Sequence, residues 1–148
     1  SRLRSTMLCS TGGFRGRKSH TDEGGIRVPG IIKWPAGFKA AGLAPGTVAA
    51  EPVAGHDIFP TLLEITGVSP PDDRMIDGSS ILPVPHGKPL KRRRPLYWRN
   101  DKETDRVAIR DGPWKLLCDS RRSTWTLSNL VDDPKETTDL SKSHPERL

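Results

Sequence analysis

One segment, residues 14–29, restricts the fold of this chain more than any other; it reads Phe-Arg-Gly-Arg-Lys-Ser-His-Thr-Asp-Glu-Gly-Gly-Ile-Arg-Val-Pro. Gly24 and Gly25 permit positive φ and close backbone approach, and Pro29 ends any helix and favours an extended residue before it. Three cations lie on the tight loop that this pattern predicts: Arg15, Arg17 and Lys18. Such a loop suits an oxyanion such as a sulfate or phosphate group; a glycine-rich surface loop with solvated cations is the alternative.

Four further segments follow this loop in order: His56-Asp-Ile-Phe-Pro-Thr-Leu-Leu-Glu-Ile-Thr-Gly67, Ile76-Asp-Gly-Ser-Ser-Ile-Leu-Pro83, Ala108-Ile-Arg-Asp-Gly-Pro-Trp-Lys115 and Leu130-Val-Asp-Asp-Pro-Lys-Glu-Thr-Thr-Asp-Leu140. Together with the loop, the set resembles the type I sulfatases, the arylsulfatase-like enzymes of the alkaline phosphatase superfamily. The resemblance covers nearly the whole chain, in the order that this family uses. The run from Pro70 to Gly78 is most similar to the arylsulfatase A and N-acetylgalactosamine-6-sulfatase branch.

The resemblance implies two structural parts. Residues 1–88 are expected to form the C-terminal end of the sulfatase α/β domain, an incomplete alkaline phosphatase-like fold. Residues 89–148 are expected to form a small, truncated antiparallel β-sheet subdomain, with a C-terminal helix over residues 141–148. The hydrophobic pattern agrees with this division, because α/β-type signals precede residue 88 and short strands follow it.

The composition limits the core that this chain can build by itself. Only 33% of its 148 residues are hydrophobic, the mean hydropathy is −0.58, and 14 glycines and 14 prolines favour many turns. No signal peptide is recognised, and no apolar run approaches the roughly 20 residues that span a bilayer. We therefore expect a piece of a larger protein, for which the family resemblance implies a periplasmic, secreted or lysosomal location.

The net charge of +6 raises the question of a nucleic-acid partner. Residues 86–115 carry ten Lys and Arg against four acids, whereas residues 41–85 carry one against six. An anionic ligand or a polysaccharide suits two separated basic regions as well as a nucleic acid does. No aromatic side chains interleave the basic run over residues 86–95 to stack bases, so we interpret it as an exposed connector. We expect neither a nucleic acid nor a membrane as partner.

The pattern in the first half of the chain predicts one strand and one helix. The β-branched and aromatic run Gly30–Trp34 is typical of a strand. A helix is predicted over Asp57–Thr66, with Asp57 capping its free amides and Gly67 ending it. Its apolar side chains recur on one face: Ile58, Leu62 and Ile65.

The pattern in the second half predicts an antiparallel sheet. Val107–Arg110 and Trp114–Cys118 alternate in hydrophobicity and are joined by a hairpin signal at Asp111-Gly112. Leu96–Arg99 and Trp125–Leu130 add two strands. Six apolar side chains are expected on one face: Val107, Ile109, Trp114, Leu116, Trp125 and Leu127. That face requires a covering layer.

The family resemblance implies hydrolysis of sulfate esters. Members attack sulfur with a hydrated formylglycine made from a Cys/Ser-x-Pro-x-Arg motif, and a calcium ion held by Asp and Asn polarises the sulfate. Lys18 matches the sulfate-binding lysine in the family's Lys-x-x-x-x-Glu-Gly-Gly and is the one catalytic residue predicted here. Arg15 and Arg17 are candidates for substrate binding, although their guanidinium groups could equally pair with carboxylates that shape the loop. Glu23 and Arg27 are interpreted as structural.

Neither the nucleophile nor the calcium ligands are recognised in this sequence. Cys9-Ser-Thr-Gly-Gly does not fit the nucleophile motif, and Cys118-Asp-Ser-Arg-Arg has Ser120 where the motif requires proline. The second segment also lies downstream of Lys18, whereas the family places its nucleophile upstream. We therefore expect Ca²⁺ and formylglycine in the full-length family member, with neither held by this chain, and we expect the chain alone to be inactive.

The expected substrate is a sulfated small molecule or a sulfated carbohydrate. Trp98 and Arg99 are further candidates for substrate contact, because a tryptophan stacks on sugar rings; a core tryptophan is the alternative. The alternative function is a non-catalytic anion- or polysaccharide-binding module derived from a sulfatase. A related hydrolase acting on phosphate esters is disfavoured by the Lys-x-x-x-x-Glu-Gly-Gly-Ile-Arg-Val-Pro match.

Overall fold

The computed structural model describes residues 10–101, 105–119, 121 and 123–148. Three residues of the two rejected nucleophile motifs lie outside the described residues: Cys9, Ser120 and Arg122. The chain divides into two compact units. The sheet unit combines the chain up to Pro29 with Leu96–Leu148, and the helical unit is Gly30–Pro95.

The sheet unit contains a short helix, α1 (Glu23–Ile26), and four antiparallel strands in sequential order: β1 (Leu96–Asn100), β2 (Arg106–Asp111), β3 (Trp114–Asp119) and β4 (Thr124–Asn129). A two-residue turn joins β2 and β3, since Asp111 pairs with Trp114 across it. Gly112 in this turn has φ +55°, a conformation that glycine adopts without steric penalty and that hairpin twist favours. The predicted hairpin and both flanking strands are confirmed.

The two faces of the sheet differ in burial. As predicted, the six apolar side chains share one face: Val107, Ile109, Trp114, Leu116, Trp125 and Leu127. Leu127 is buried there, but Ile109 and Trp125 remain 37% and 50% exposed. The opposite face, here called the loop face, is the better covered one, and its Ala108 and Lys115 are 0% and 1% exposed. A covering layer was predicted over the apolar face, but the structure places the better cover over the opposite, more polar face.

The C-terminal tail does not form the predicted helix. Only Pro145–Arg147 form a short 3₁₀-helix. His144 has φ −132° and ψ 58°, outside the helical region, as expected for a residue whose backbone is crowded by the following proline. The tail instead contacts Trp114, whose ring centroid lies 5.1 Å from that of His144 and 4.4 Å from the Arg147 guanidinium carbon. The tail thus covers one end of the apolar face.

The helical unit contains α2 (Pro35–Ala40), α3 (Ile58–Thr66) and two 3₁₀-helices at Gly55–Asp57 and Val84–His86. The helix predicted at the position of α3 is confirmed, and Gly67 ends it at φ 68° in the left-handed conformation. The strand predicted at Gly30–Trp34 is wrong. No strand is assigned between residues 27 and 34. Ile31 is 93% exposed, and an extended segment becomes a strand only where a neighbouring strand pairs with it.

The apolar face of α3 is exposed. Ile58, Leu62 and Ile65 are 58%, 53% and 38% exposed, whereas the polar Thr61 is buried. The residues on this face were predicted correctly, but the described residues do not cover them. This exposure agrees with the expectation that the chain builds no large core by itself. None of the helices in the described part of the chain has the length and apolar character required to cross a bilayer.

The carboxylate of Asp57 organises the helical unit, although it does not cap α3 as predicted. Its two oxygens accept hydrogen bonds from the amides of Ala54 and Ser79 at 2.7 and 2.9 Å and from the Arg92 guanidinium at 2.6 and 2.8 Å. Burial alone would raise the pKa of Asp57, but these hydrogen bonds outweigh it and hold the pKa below its ordinary value. Arg92, predicted to lie in an exposed connector, is therefore part of a buried ion pair.

The unit boundaries differ from the division predicted near residue 88. They fall between residues 29 and 30 and between residues 95 and 96. The physical reason is that α1 and its preceding loop form ion pairs with β2 and β3, which are more than 80 residues downstream. The division of the complete protein into an α/β domain and a C-terminal subdomain stays a prediction.

Candidate functional site: the cationic loop

The loop of residues 14–20 is attached to α1 through its backbone. The amide of Gly24 donates a hydrogen bond to the carbonyl oxygen of Arg15 at 2.7 Å. Within the loop, the amide of His20 donates to the carbonyl oxygen of Arg17 at 2.9 Å. Each of these two bonds joins a residue before Lys18 to a residue after it, so the backbone around Lys18 is held in a closed turn.

Close approach explains the paired glycines. A Cβ atom on Gly24 would lie 2.5 Å from the carbonyl oxygen of Arg15, and one on Gly25 would overlap two further loop carbonyls. Positive φ, also predicted for this pair, occurs instead at Gly16 (84°) and Ser19 (73°). Ser19 follows Lys18 directly, and a left-handed conformation is uncommon for a residue other than glycine.

The three predicted cations have different environments. The side chains of Lys18 and Arg17 belong to exposed residues of the loop. Arg15 places its Nε 3.2 Å from Oδ1 of Asp22 and donates from Nη1 to the carbonyl oxygen of Glu136 at 3.1 Å. Arg15 thus pairs with a carboxylate that shapes the loop, the alternative that the sequence had left open, although its side chain is 46% exposed and, like Arg17 and Lys18, accessible to an anion.

A buried ion triad lies beneath α1. Lys115 on β3 is completely buried, and its Nζ lies 3.0 Å from Oε1 of Glu23 and 2.9 Å from Oε1 of Glu136. The backbone amide of Glu23 donates to Oε2 of Glu136 at 2.7 Å. Glu23 and Glu136 are 1% and 4% exposed. The interpretation of Glu23 as structural agrees with these contacts.

A second ion cluster joins the start of α1 to β2 and β3. Oδ2 of the buried Asp22 lies 3.3 Å from Nη1 of Arg106, and Nε of Arg106 lies 3.3 Å from Oδ2 of Asp119. His20 places its Nδ1 3.6 Å from Asp22. In both clusters the cations lie on the loop face of the sheet. The carboxylates of Asp22 and Glu23 therefore pair with side chains on the more polar of the two faces.

Strand β1 also contributes to the loop. The side-chain amide of Asn100 donates a hydrogen bond to the carbonyl oxygen of Ser19, the residue after Lys18. Trp98 lies on the same face of the sheet as Asn100 and is half-buried. Its neighbour Arg99 is exposed on the opposite face, because successive residues of a strand point to opposite sides. The two candidates for substrate contact are therefore not brought together.

Sequence reasoning missed the residues that hold the loop: Asn100, Arg106, Lys115 and Glu136. A signal was present for Lys115, which occupies an alternate position of the predicted strand Trp114–Cys118, on the face opposite its apolar side chains; Arg106 directly precedes the predicted strand Val107–Arg110. Nothing local identifies Glu136, which lies in a turn with φ 56°.

A family profile described as N-sulphoglucosamine sulphohydrolase, C-terminal, matches residues 14–147. The match begins at the first residue of the cationic loop and includes all four strands. This chain belongs to that family of C-terminal sulfatase domains. The family is one of sulfuric ester hydrolases, which confirms the resemblance to sulfatases found in the sequence.

Curated relatives of this sulfatase domain include two vertebrate enzymes. The chain is 39% identical over 131 residues to N-acetylgalactosamine-6-sulfatase of Canis lupus familiaris, a match that covers 88% of the chain and 22% of the relative. It is 43% identical over 79 residues to steryl-sulfatase of Homo sapiens, covering 53% of the chain and 13% of the relative. The chain thus spans less than a quarter of the length of these relatives.

Solved structures show the same architecture for this sulfatase domain. A protein studied for the metabolism of multiple glycosaminoglycans by Bacteroides thetaiotaomicron superposes with a TM-score of 0.65 at 25% identity, covering 92% of this chain and 30% of that one. The protein Ps i-CgsB superposes with a TM-score of 0.55 at 27% identity, covering 70% and 24%. A structure of Ps i-CgsB in complex with k-i-k-neocarrahexaose superposes equally well.

The calcium ion that the resemblance implies has no fitting ligand set in the part of the sulfatase domain that the structure describes. Among those residues, no group of three or more His, Cys, Asp and Glu side chains is arranged to hold a metal ion. The carboxylates nearest to Lys18 in the sequence, Asp22 and Glu23, are bound by cations of the sheet. No step of the chemistry is therefore assigned to a metal held here.

Proposed function

We propose that this chain is the C-terminal part of a sulfatase that hydrolyses sulfate esters of aryl compounds or carbohydrates, and that it contributes the sulfate-binding lysine. The observation that carries the proposal is an exposed Lys18 on a loop whose backbone is held on both sides, in a domain of the sulfatase family. The nucleophile belongs to another part of the complete protein.

In this proposal Lys18 is a catalytic residue that touches the substrate. Its ammonium group binds the sulfate oxygens and neutralises the charge that accumulates on them as the bond between sulfur and the leaving oxygen breaks. Arg17, one residue earlier and also exposed, adds a second positive charge for the anion. Arg15 acts indirectly, since Asp22 and Glu136 engage its guanidinium.

Ca²⁺ and formylglycine belong to the proposal for the complete protein. The formylglycine residue supplies the nucleophile, and the calcium ion polarises the sulfate, when they are present. Cys118-Asp-Ser-Arg-Arg is not offered as the formylglycine motif, because it lacks the proline and because Cys118 lies within β3. This chain alone is therefore expected to be inactive.

The names of the relatives favour a sulfated carbohydrate or a sulfated small molecule as substrate. One relative is a sulfatase of N-acetylgalactosamine 6-sulfate by name, another is a steryl-sulfatase, and one structural neighbour was solved with an oligosaccharide. Trp98 is the proposed stacking surface for a sugar ring, since it lies on the loop face beside Asn100. Arg99, on the opposite face, is proposed only for a substrate long enough to pass the edge strand β1.

Sulfatase activity of the full-length gene product tests the proposal. The protein would be expressed with a formylglycine-generating enzyme and assayed on a generic aryl sulfate and on sulfated saccharides, with this 148-residue chain as the matched sample. We expect turnover by the full-length protein and none by the chain. No turnover of any sulfate ester by the full-length protein, together with retained binding of sulfated polysaccharide, would favour the non-catalytic module.

A further inference from the structure

The buried ion triad of Glu23, Lys115 and Glu136 does more than fill the space beneath α1. All three side chains are removed from water, and the ammonium of Lys115 lies about equally far from the two carboxylates, at 3.0 and 2.9 Å. Desolvating an ion pair offsets much of its Coulomb attraction, so apolar residues of similar volume commonly stabilise a fold as well or better. Because stability alone does not favour such a triad, we look for its role in the geometry that its contacts impose on the backbone around it.

Glu136 contacts the chain on both sides of Lys18. Its Oε2 accepts a hydrogen bond from the backbone amide of Glu23, the first residue of α1, at 2.7 Å. Its carbonyl oxygen accepts a hydrogen bond from Nη1 of Arg15, near the N-terminal end of the loop, at 3.1 Å. Lys18 lies between these two anchor points in the sequence. A single residue far downstream thus fixes the span that carries the lysine.

The backbone of Glu136 has an unusual conformation. Its φ is 56°, in the left-handed region that residues other than glycine seldom occupy. That conformation directs the carbonyl to Arg15 while the side chain reaches Glu23 and Lys115. Strained conformations of this kind persist where the surrounding contacts determine them, and they cluster at functional sites.

We propose that Glu136 and Lys115 are positioning residues that set the direction of the Lys18 ammonium group. The inference rests on the proposed function, because it assigns to Lys18 the sulfate oxygens as target. Neither residue touches the substrate; Lys115 is completely buried, and Glu136 acts through Arg15 and Glu23. A displacement of a catalytic group by about 1 Å costs on the order of 100-fold in rate, so loss of the triad lowers kcat.

A double-mutant cycle in the full-length protein tests this inference. Glu136→Gln keeps an oxygen for the amide of Glu23 but removes the charge that faces Lys115. We expect it to lower kcat about 10- to 100-fold with a smaller change in KM. In a Lys18→Ala background the same substitution is expected to change kcat less than about twofold, because the residue through which it acts is gone. An equal loss in both backgrounds would overturn the inference.

Glu146→Gln is the matched control. Glu146 is an exposed carboxylate of the same unit, paired with His144 and Arg147 at the surface. The kcat of the Glu146→Gln variant is expected to equal that of the wild type within about twofold. If Glu136→Gln fails to fold, Glu136→Asp retains the charge and shortens the side chain by one methylene. It is expected to lower kcat by less than Glu136→Gln and with the same dependence on Lys18.

Amide hydrogen exchange separates this inference from the proposed function. The amides of His20 and Gly24 report on the loop, because each donates to a loop carbonyl. In full-length Glu136→Gln we expect both to exchange about tenfold faster, while the amides of β2 and β3 keep their wild-type rates. This readout tests whether Glu136 holds the backbone of the loop, even in a protein without sulfatase activity. Unchanged exchange of both amides would overturn the inference.

Discussion

The sheet unit and the helical unit bury different kinds of surface. In the sheet unit, carboxylates of α1 and its loop pair with cations of β2 and β3, and the strands are connected by complete antiparallel pairing. In the helical unit, one carboxylate, Asp57, collects hydrogen bonds from three segments, while the apolar face of α3 remains exposed. The sheet unit therefore buries paired charges on one face of its sheet while Ile109 and Trp125 on the other face stay partly exposed, and the helical unit exposes the apolar face of α3.

Because of this difference, we expect the two units to contribute differently to function and to stability. The candidate catalytic lysine lies in the unit whose backbone contacts span the largest sequence separations, such as Glu23 to Glu136. Binding groups held by such a framework lose little freedom when they meet a ligand. The exposed apolar side chains of the helical unit instead suit burial against other protein surface.

The largest expected effect is on catalysis and is confined to the sheet unit. Lys18→Ala in the full-length protein is expected to lower kcat by about 10²- to 10³-fold, since one preformed charge on the sulfate oxygens is lost. The fold is expected to stay intact because Lys18 is exposed. Steady-state kinetics and thermal melting measure the two effects, with the exposed Lys142→Ala as the control. A near-wild-type rate would remove Lys18 from the site.

The next largest effect is on the stability of the helical unit. Arg92→Met leaves the Asp57 carboxylate buried without its charged partner, so we expect a loss of about 3 kcal/mol in the free energy of unfolding. Arg93→Met removes an exposed cation from the same segment and is expected to change stability by less than about 0.5 kcal/mol. Urea denaturation measures the free energy of unfolding, and amide hydrogen exchange shows which of the two units is destabilised. Equal effects of the two variants would contradict the role of Arg92.

A pair of leucine substitutions compares the two interiors directly. Leu117→Ala, at a buried position of β3, is expected to destabilise the sheet unit by about 2–4 kcal/mol because it leaves a cavity. Leu62→Ala, at a position of α3 that is 53% exposed, is expected to cost less than about 1 kcal/mol in this chain. Chemical denaturation of the isolated chain checks both values. A larger loss from Leu62→Ala would show that the face of α3 is covered in solution.

The smallest effect is a dependence of stability on pH in the helical unit. The pKa of Asp57 is below its ordinary value of 3.8, because hydrogen bonds from Arg92 and from two backbone amides outweigh burial. The resulting stabilisation is complete above the unfolded pKa and is lost as the pH falls through the folded pKa. Between pH 5 and pH 2, Asp57→Asn is therefore expected to show a shallower loss of stability than the wild type. Identical slopes would contradict the assignment.

Local patterns in the sequence were sufficient for several elements. The β2–β3 hairpin and the extent of α3 with its stop at Gly67 follow from short patterns, because turn chemistry and helical periodicity act over a few residues. The membership in the sulfatase family followed instead from the resemblance of five ordered segments to that family. The same reasoning failed at Gly30–Trp34 and at the C-terminal tail. A strand needs a partner that no local pattern supplies, and Pro145 outweighed the helical tendency of the residues around it.

The sequence by itself determined that a cationic, glycine-containing loop is present and that the chain belongs to the sulfatase family, whereas the role of Lys18 as the sulfate-binding lysine stays a proposal. Only the tertiary structure decided which face of the sheet is covered, that Arg15 is engaged by Asp22, and that Glu136 contacts the chain on both sides of Lys18. These contacts join positions up to 121 residues apart. The identity of a charged side chain does not specify its partner; the partner is set by the strand register and backbone path that bring the two together.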